Sequence, residues 1–203
     1  MKIVRILVGL SLLGTGIYMM SHVAFLGIFN NLTLFVATLI ATPLMLGWKG
    51  FKQLFRKPEK PIKWFLIFLI ANIIWSFGVG ILEQAVYGSA TSNPATGQFY
   101  IFFFLPFMLL GEELFSISIL EWLRKWIPDW TAILISALVF GLVHFWTYSN
   151  GDIIQTLLHI LLIQGVARIW LNFAYLKSGS IWVSLAVHIA FDLLSLGLGF
   201  LLS

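Results

Sequence analysis

The chain has 203 residues, a net charge of +4, no cysteine, 60% hydrophobic and only 10% charged residues, with a mean hydropathy of +0.99. About a quarter of an ordinary soluble domain is charged, so this composition excludes a water-soluble globular domain and specifies an integral protein of the lipid bilayer. The missing cysteine excludes disulfides, thiolate zinc sites and a cysteine nucleophile, and the positive charge, concentrated in one loop, marks orientation and not a nucleic-acid surface.

The N-terminal MKIVRILVGLSLLGTGIYMM combines a basic start with an apolar stretch, as a signal peptide would. The apolar run continues to about Phe29 without an A-x-A-like site, so a retained first membrane helix is expected. Apolar segments follow over about 6–28, 32–48, 64–82, 99–123, 130–148, 154–176 and 181–202. About 20 residues cross a hydrocarbon core of about 30 Å, so the expected fold is an all-α polytopic membrane helix bundle of about seven transmembrane helices. Residues 1–98 would carry the N-terminal helices and a basic loop, and residues 99–203 the core helices, within one membrane domain. Only Asn30 and Asn31 divide the first two segments, which leaves both separate spans and a bent or re-entrant hairpin open. Pro43 and Pro106 are expected to kink their helices, since each removes a backbone hydrogen bond. GSATSNPATG, residues 88–97, is the clearest loop.

Short loops rich in Lys and Arg stay in the cytoplasm. The loop from Lys49 to Lys63 carries Lys49, Lys52, Arg56, Lys57, Lys60 and Lys63. Counting helices from it places Lys2, Arg5, Arg124, Lys125 and Lys177 on the same side, while the connections 83–98 and 149–153 carry neither residue type. Arg168 alone departs from this pattern. The expected orientation is N-terminus cytoplasmic and C-terminus outside, in a bacterial cell membrane.

Ionisable residues at membrane depth are functional candidates, because each is costly there unless paired or wet. Here they are His22, Glu112, Glu113, His144, His159, Arg168, His188 and Asp192. At 1.5 Å rise per residue, Glu113 lies about 17 Å from Arg124, His144 about 21 Å from Trp130 and His188 about 17 Å from Lys177. Three helices thus bring ionisable groups to one level near the midplane. His22 and His159 read as interhelical hydrogen-bonding groups. Phe140 and His144 are four apart, as are His188 and Asp192, and such pairs share a helix face. Glu112 and Glu113 point about 100° apart on a helix, so one is expected to face a site while the other meets a partner that holds it.

From about Leu109 to Leu194 the chain resembles the CPBP family of intramembrane proteases, which includes CAAX prenyl endopeptidases, bacteriocin-processing and bacteriocin-immunity proteins and the Abi proteins. The resemblance rests on GEEL, then FGLVH with Phe140 and His144, then LKSGSIWVSLAVHIAFD with His188 and Asp192, in family order. It implies that Glu112 activates a water for attack on a peptide carbonyl, that His144 assists, and that His188 and Asp192 stabilise the oxyanion. The donor types of Glu112, His144, His188 and Asp192 also suit zinc, so a metalloprotease version stays open. The implied partners are a peptide or membrane-protein substrate and the bilayer, with no nucleic acid; nothing in the sequence sets an oligomeric state.

Two positions depart from the family pattern. The first motif is usually E-E-x-x-x-R, and the position four after Glu113 is Ile117. Arg168, about 13 Å from Lys177 where residue 117 is about 10 Å from Arg124, is expected either to reach Glu113 from its own helix or to snorkel to the interface. An ionised Asp192 accepts hydrogen bonds but cannot donate, so it would be protonated, bind a metal or, the reading favoured here, orient His188. Three function classes follow: an intramembrane endopeptidase; a catalytically silent relative acting as scaffold, regulator or bacteriocin-immunity protein, for which the missing arginine speaks; and an ion or proton transporter, which fits the composition but not the motif order.

Overall fold

A computed structural model describes residues 2–22, 24–91, 93, 95–96 and 98–202, and no strand occurs among them. Ser92, Pro94 and Gly97 of the expected 88–97 loop lie outside the described residues. The fold is a polytopic helical bundle. Among the described residues six stretches are long and apolar enough to cross a membrane: Ile3–Met20, Leu26–Leu54, Pro61–Tyr87, Ile101–Leu123, Ile153–Ser178 and Ile181–Gly199.

Helices α1 (Lys2–His22) and α2 (Thr33–Leu54) form an antiparallel hairpin. A 3-10 stretch, Ala24–Leu32, joins them, and it turns at Gly27, whose φ of +54° lies where only glycine is free of a Cβ penalty. The helices close on one another through small residues: a Cβ on Gly16 would sit 2.7 Å from that of Ala37, and one on Gly9 would sit 2.5 Å from Met45 Cγ. Asn30 and Asn31 therefore mark a tight turn between two spans. In α2 the helical backbone breaks at Gly47 (φ +77°), four residues after Pro43, whereas α4 (Ile101–Leu123) continues through Pro106 as one helix.

Of the long helices, α4 is the most enclosed. A Cβ on Gly111 would lie 2.8 Å from the backbone N and Cα of Phe35, so α2 and α4 touch almost backbone to backbone. Close approach of this kind is how membrane helices gain dispersion contact without a hydrophobic driving force. Ser118 donates to Thr42 across the same interface at 2.8 Å. Further along α4, Leu114, Ile117 and Leu120 pack with Leu54, Ile133 and Ile181 in one buried cluster.

Helix α3 (Pro61–Tyr87) begins with proline at its first position, where the missing N–H is not needed, and ends at Gly88 in the left-handed conformation. It extends five residues past the expected end at 82, which brings Glu83 into the membrane helix.

The fifth apolar segment is not one continuous span. Helix α5 (Asp129–Val143) has 15 residues, about 22 Å at 1.5 Å per residue, and a short turn, α6 (Phe145–Tyr148), follows. The break is His144, at φ −85° and ψ 0°. Its ring Nδ1 donates to the Phe140 carbonyl at 2.7 Å, while its backbone N–H goes to Gly141 O at 3.1 Å. The side chain thus takes the carbonyl that the next helical hydrogen bond would use, and the helix ends.

Helix α7 (Ile153–His159) starts at Asp152, whose carboxylate caps the N–H groups of Ile154 and Gln155. It passes through a π turn, Ile160–Gly165, into α8 (Val166–Ser178). The π turn lies against α5, since a Cβ on Gly141 would come 2.9 Å from Ile160 O. Trp75 Nε1 donates to Leu162 O at 2.7 Å, tying α3 to the same turn. Gly179, at φ +69°, ends α8, and its carbonyl accepts from Arg56 of the basic loop. Helix α9 (Ile181–Leu202) completes the bundle. Large apolar side chains such as Ile74, Phe77 and Phe103 face outward, as a lipid-facing surface requires.

Candidate functional site

Glu112 and Glu113 sit on α4, His144 at the break after α5, Arg168 on α8, and His188 and Asp192 on α9. The bundle gathers Phe140, His144, Arg168 and His188 around one aromatic ring: that of Phe140 lies 4.7 Å from the His144 ring, 6.3 Å from the His188 ring and 5.4 Å from the Arg168 guanidinium carbon. Phe140 therefore sets the spacing of the two imidazoles and supplies a π face to the cation.

The two adjacent glutamates have different surroundings, as their angular separation on the helix requires. Glu113 is fully buried. Arg168 Nη1 donates to its Oε1 at 2.8 Å and Nη2 to its Oε2 at 3.0 Å, and His188 Nδ1 donates to Oε1 at 3.0 Å. Three hydrogen bonds from two side chains hold this carboxylate in place. Glu112 instead lines a cavity of about 430 Å³, shared with His144, His188 and Asp192. Its Oε2 lies 3.7 Å from His188 Nε2, beyond hydrogen-bond range.

Both histidines are oriented through Nδ1. A carbonyl oxygen only accepts, so the His144 hydrogen on Nδ1 points to Phe140 O, and in the neutral ring the lone pair is on Nε2. The orienting partner of His188 is Glu113, not Asp192 as expected from the acceptor-only chemistry of an ionised carboxylate. Residues at i and i+4 stack side by side along a helix face, whereas Glu113, clamped by Arg168 on a neighbouring helix, meets the imidazole end on. Asp192 lines the cavity one turn further along α9.

Arg168 does not snorkel. It is fully buried on the carboxylate of Glu113, while Ile117, where the family motif usually has arginine, is equally buried among apolar side chains. The zinc reading does not find its geometry: among the described residues no group of three His, Asp or Glu side chains is placed to hold a metal ion. The Nδ1 atoms of His144 and His188 are already committed to Phe140 and Glu113. The donor types suit zinc, but their positions do not converge.

A second polar cluster shares the cavity. His159 Nδ1 donates to Glu83 Oε1 at 2.7 Å, and both side chains are buried. This is the interhelical bond expected of His159; its partner Glu83, which a segment boundary at 82 assigns to the outer connection, lies on α3. Tyr148 stacks on His159 at 4.7 Å between ring centroids and accepts at its hydroxyl from Gln164 Nε2 at 2.9 Å. His22 differs from expectation: its contacts lie within α1, a ring stack on Tyr18 at 4.8 Å and an Nδ1 contact with Tyr18 O at 3.3 Å.

A family model described as type II CAAX prenyl endopeptidase Rce1-like matches residues 93–194, a range that includes Glu112, Glu113, His144, His188 and Asp192. No match was found among curated proteins or among solved structures.

Proposed function

This chain belongs to the Rce1-like family of type II CAAX prenyl endopeptidases, and we propose that it is an intramembrane endopeptidase that hydrolyses a peptide bond with a water activated by Glu112. The observation that carries this reading is the division of labour between the paired glutamates. Glu113 is held by three hydrogen bonds from Arg168 and His188, whereas Glu112 lines a cavity that His144, His188 and Asp192 also line.

In the proposed reaction a water in the cavity gives one proton to the Glu112 carboxylate, and its oxygen attacks the scissile carbonyl carbon. His144 Nε2, bearing the lone pair, accepts a hydrogen bond from the water's second O–H and holds the oxygen in line. The carbonyl π electrons move to its oxygen, where the Nε2–H of a protonated His188 stabilises the developing charge. Donors already fixed where charge develops lower the barrier without reorganisation, and Glu113 fixes His188 by its other nitrogen. Collapse of the tetrahedral intermediate breaks the C–N bond, and the proton held by Glu112 passes to the leaving amine. Asp192, an acceptor when ionised, adds a hydrogen-bonding wall for the peptide. No step is routed through a metal.

The case for a silent scaffold or bacteriocin-immunity protein rested on Ile117. With a guanidinium from α8 on Glu113, the missing motif arginine no longer speaks for it. The substrate class we propose is a prenylated CAAX peptide or protein tail, with the basic loop of residues 49–63 facing the cytoplasm. The test uses full-length protein in liposomes with an S-farnesylated CAAX peptide. Glu112→Gln and His144→Ala should each lower cleavage by about 100-fold or more at unchanged protein level; near-parental cleavage by both sinks the reading.

A further inference from the structure

The cavity that holds the proposed reaction site continues to a polar group for which hydrolysis has no use. His159 is only 5% exposed, and its Nδ1 is held by Glu83 at 2.7 Å. Glu83 spends its other oxygen on the Thr91 backbone N–H at 2.9 Å, so the carboxylate is fixed at both ends. The second ring nitrogen of His159, Nε2, is buried without a hydrogen-bond partner. Buried polar atoms in native proteins almost always have a partner, and each exception calls for an explanation. Here the unpartnered nitrogen belongs to a residue that lines the cavity together with Glu83, Tyr148 and Gln164.

Tyr148 spans the gap between the His159 ring and the proposed chemistry. Its ring lies 6.3 Å from the His144 ring and 4.7 Å from the His159 ring, so one side chain bridges the two imidazoles. An extended peptide advances about 3.3 Å per residue. A group of the substrate held at His159 is therefore within about three residues of a carbonyl placed beside His144. Gln164, on the π turn, fixes the Tyr148 hydroxyl, which holds this bridge rigid.

We propose that His159, oriented by Glu83, is a binding residue whose Nε2 makes a hydrogen bond to the main chain of the bound peptide within about three residues of the scissile bond. The inference rests on the peptidase reading of the cavity and adds to it a binding subsite formed by helices α3 and α7. It also explains why a carboxylate and an imidazole are buried together at a distance from the paired glutamates: Glu83 fixes a ring that lines the cavity and whose Nε2 has no partner within the protein.

The test uses full-length protein in liposomes and an S-farnesylated CAAX peptide as probe, with KM and kcat for the parent series and Kd in the Glu112→Gln background. His159→Phe keeps a ring against Tyr148 and removes both nitrogens. It should raise KM and Kd about tenfold, the scale of one hydrogen bond, with kcat within about twofold. His159→Gln, which restores a polar atom, should recover most of the loss. If His159→Phe does not accumulate, Glu83→Gln, which releases the ring's orientation, reads the same KM and Kd. An unchanged KM and Kd, or a fall confined to kcat, overturns the inference. Near-parental cleavage by Glu112→Gln would refute the proposed base while the Kd series still decides the role of His159, and a parent that does not bind the peptide refutes the subsite.

Discussion

Arg168 on α8 and Glu113 on α4 form a fully buried bidentate pair, with Nη1 and Nη2 at 2.8 and 3.0 Å from the two carboxylate oxygens. A buried pair is costly to break because one unpaired charge remains, typically about 3–5 kcal/mol. Arg168→Gln should therefore lower the unfolding free energy in detergent by that order, and Arg168→Lys, which cannot reproduce the planar fork, should recover only part. A thermal unfolding series measures both. Near-parental stability for Arg168→Gln would show that the pair is dispensable.

The paired glutamates should respond differently to the same substitution. Glu112→Gln should leave the fold intact and lower peptide cleavage by about 100-fold or more, the usual scale of general-base loss. Glu113→Gln should lower both stability and cleavage, because Arg168 loses its counter-ion and His188 its orienting acceptor. Unfolding midpoints alongside turnover separate the two cases, and equal destabilisation by both variants would contradict the division described above.

The placement of the carboxylates and imidazoles bears on metal dependence. Since no three of these side chains converge among the described residues, cleavage should persist within about twofold after dialysis against a chelator, and the purified protein should hold well under one metal ion per chain. Elemental analysis of protein prepared without chelator, together with the dialysed rate, checks this. Loss of activity on chelation with recovery by zinc would overturn the metal-free sequence of steps.

The contact between α2 and α4 can be tested away from any chemistry. Gly111→Ala places a Cβ 2.8 Å from the Phe35 backbone, where no side chain can give way, and overpacking of this kind costs about 1–3 kcal/mol. Gly78→Ala on α3 meets nothing within 4 Å and should be neutral or stabilising by up to about 1 kcal/mol, since alanine favours the helix. Equal effects of the two on the unfolding midpoint would refute the backbone-to-backbone packing.

Much of the fold was legible because the bilayer imposes a length on each apolar run: every expected segment corresponds to a helix or a broken helix in the bundle. The exceptions have local causes. Expected from composition to be a span, segment 130–148 breaks at His144 because that side chain competes for the Phe140 carbonyl, an interaction that hydropathy does not register. Glu83 has no hydropathy signal because the apolar average falls at its position, although the helix continues to Tyr87. The π turn at Ile160–Gly165 has no composition signal at all.

By itself the sequence determined that this is a membrane helix bundle, that three helices carry ionisable groups to one depth, and that Arg168 lies near the level of position 117, where the family motif usually has its arginine. Those are consequences of residue count and hydropathy, which act along each helix axis. Only the tertiary structure decided which groups face each other. Rotation about each axis and the choice of neighbours set His188 against Glu113 instead of Asp192 and opened Glu112 to the cavity. They also placed Glu83 on His159, for those choices depend on packing between helices distant in the chain.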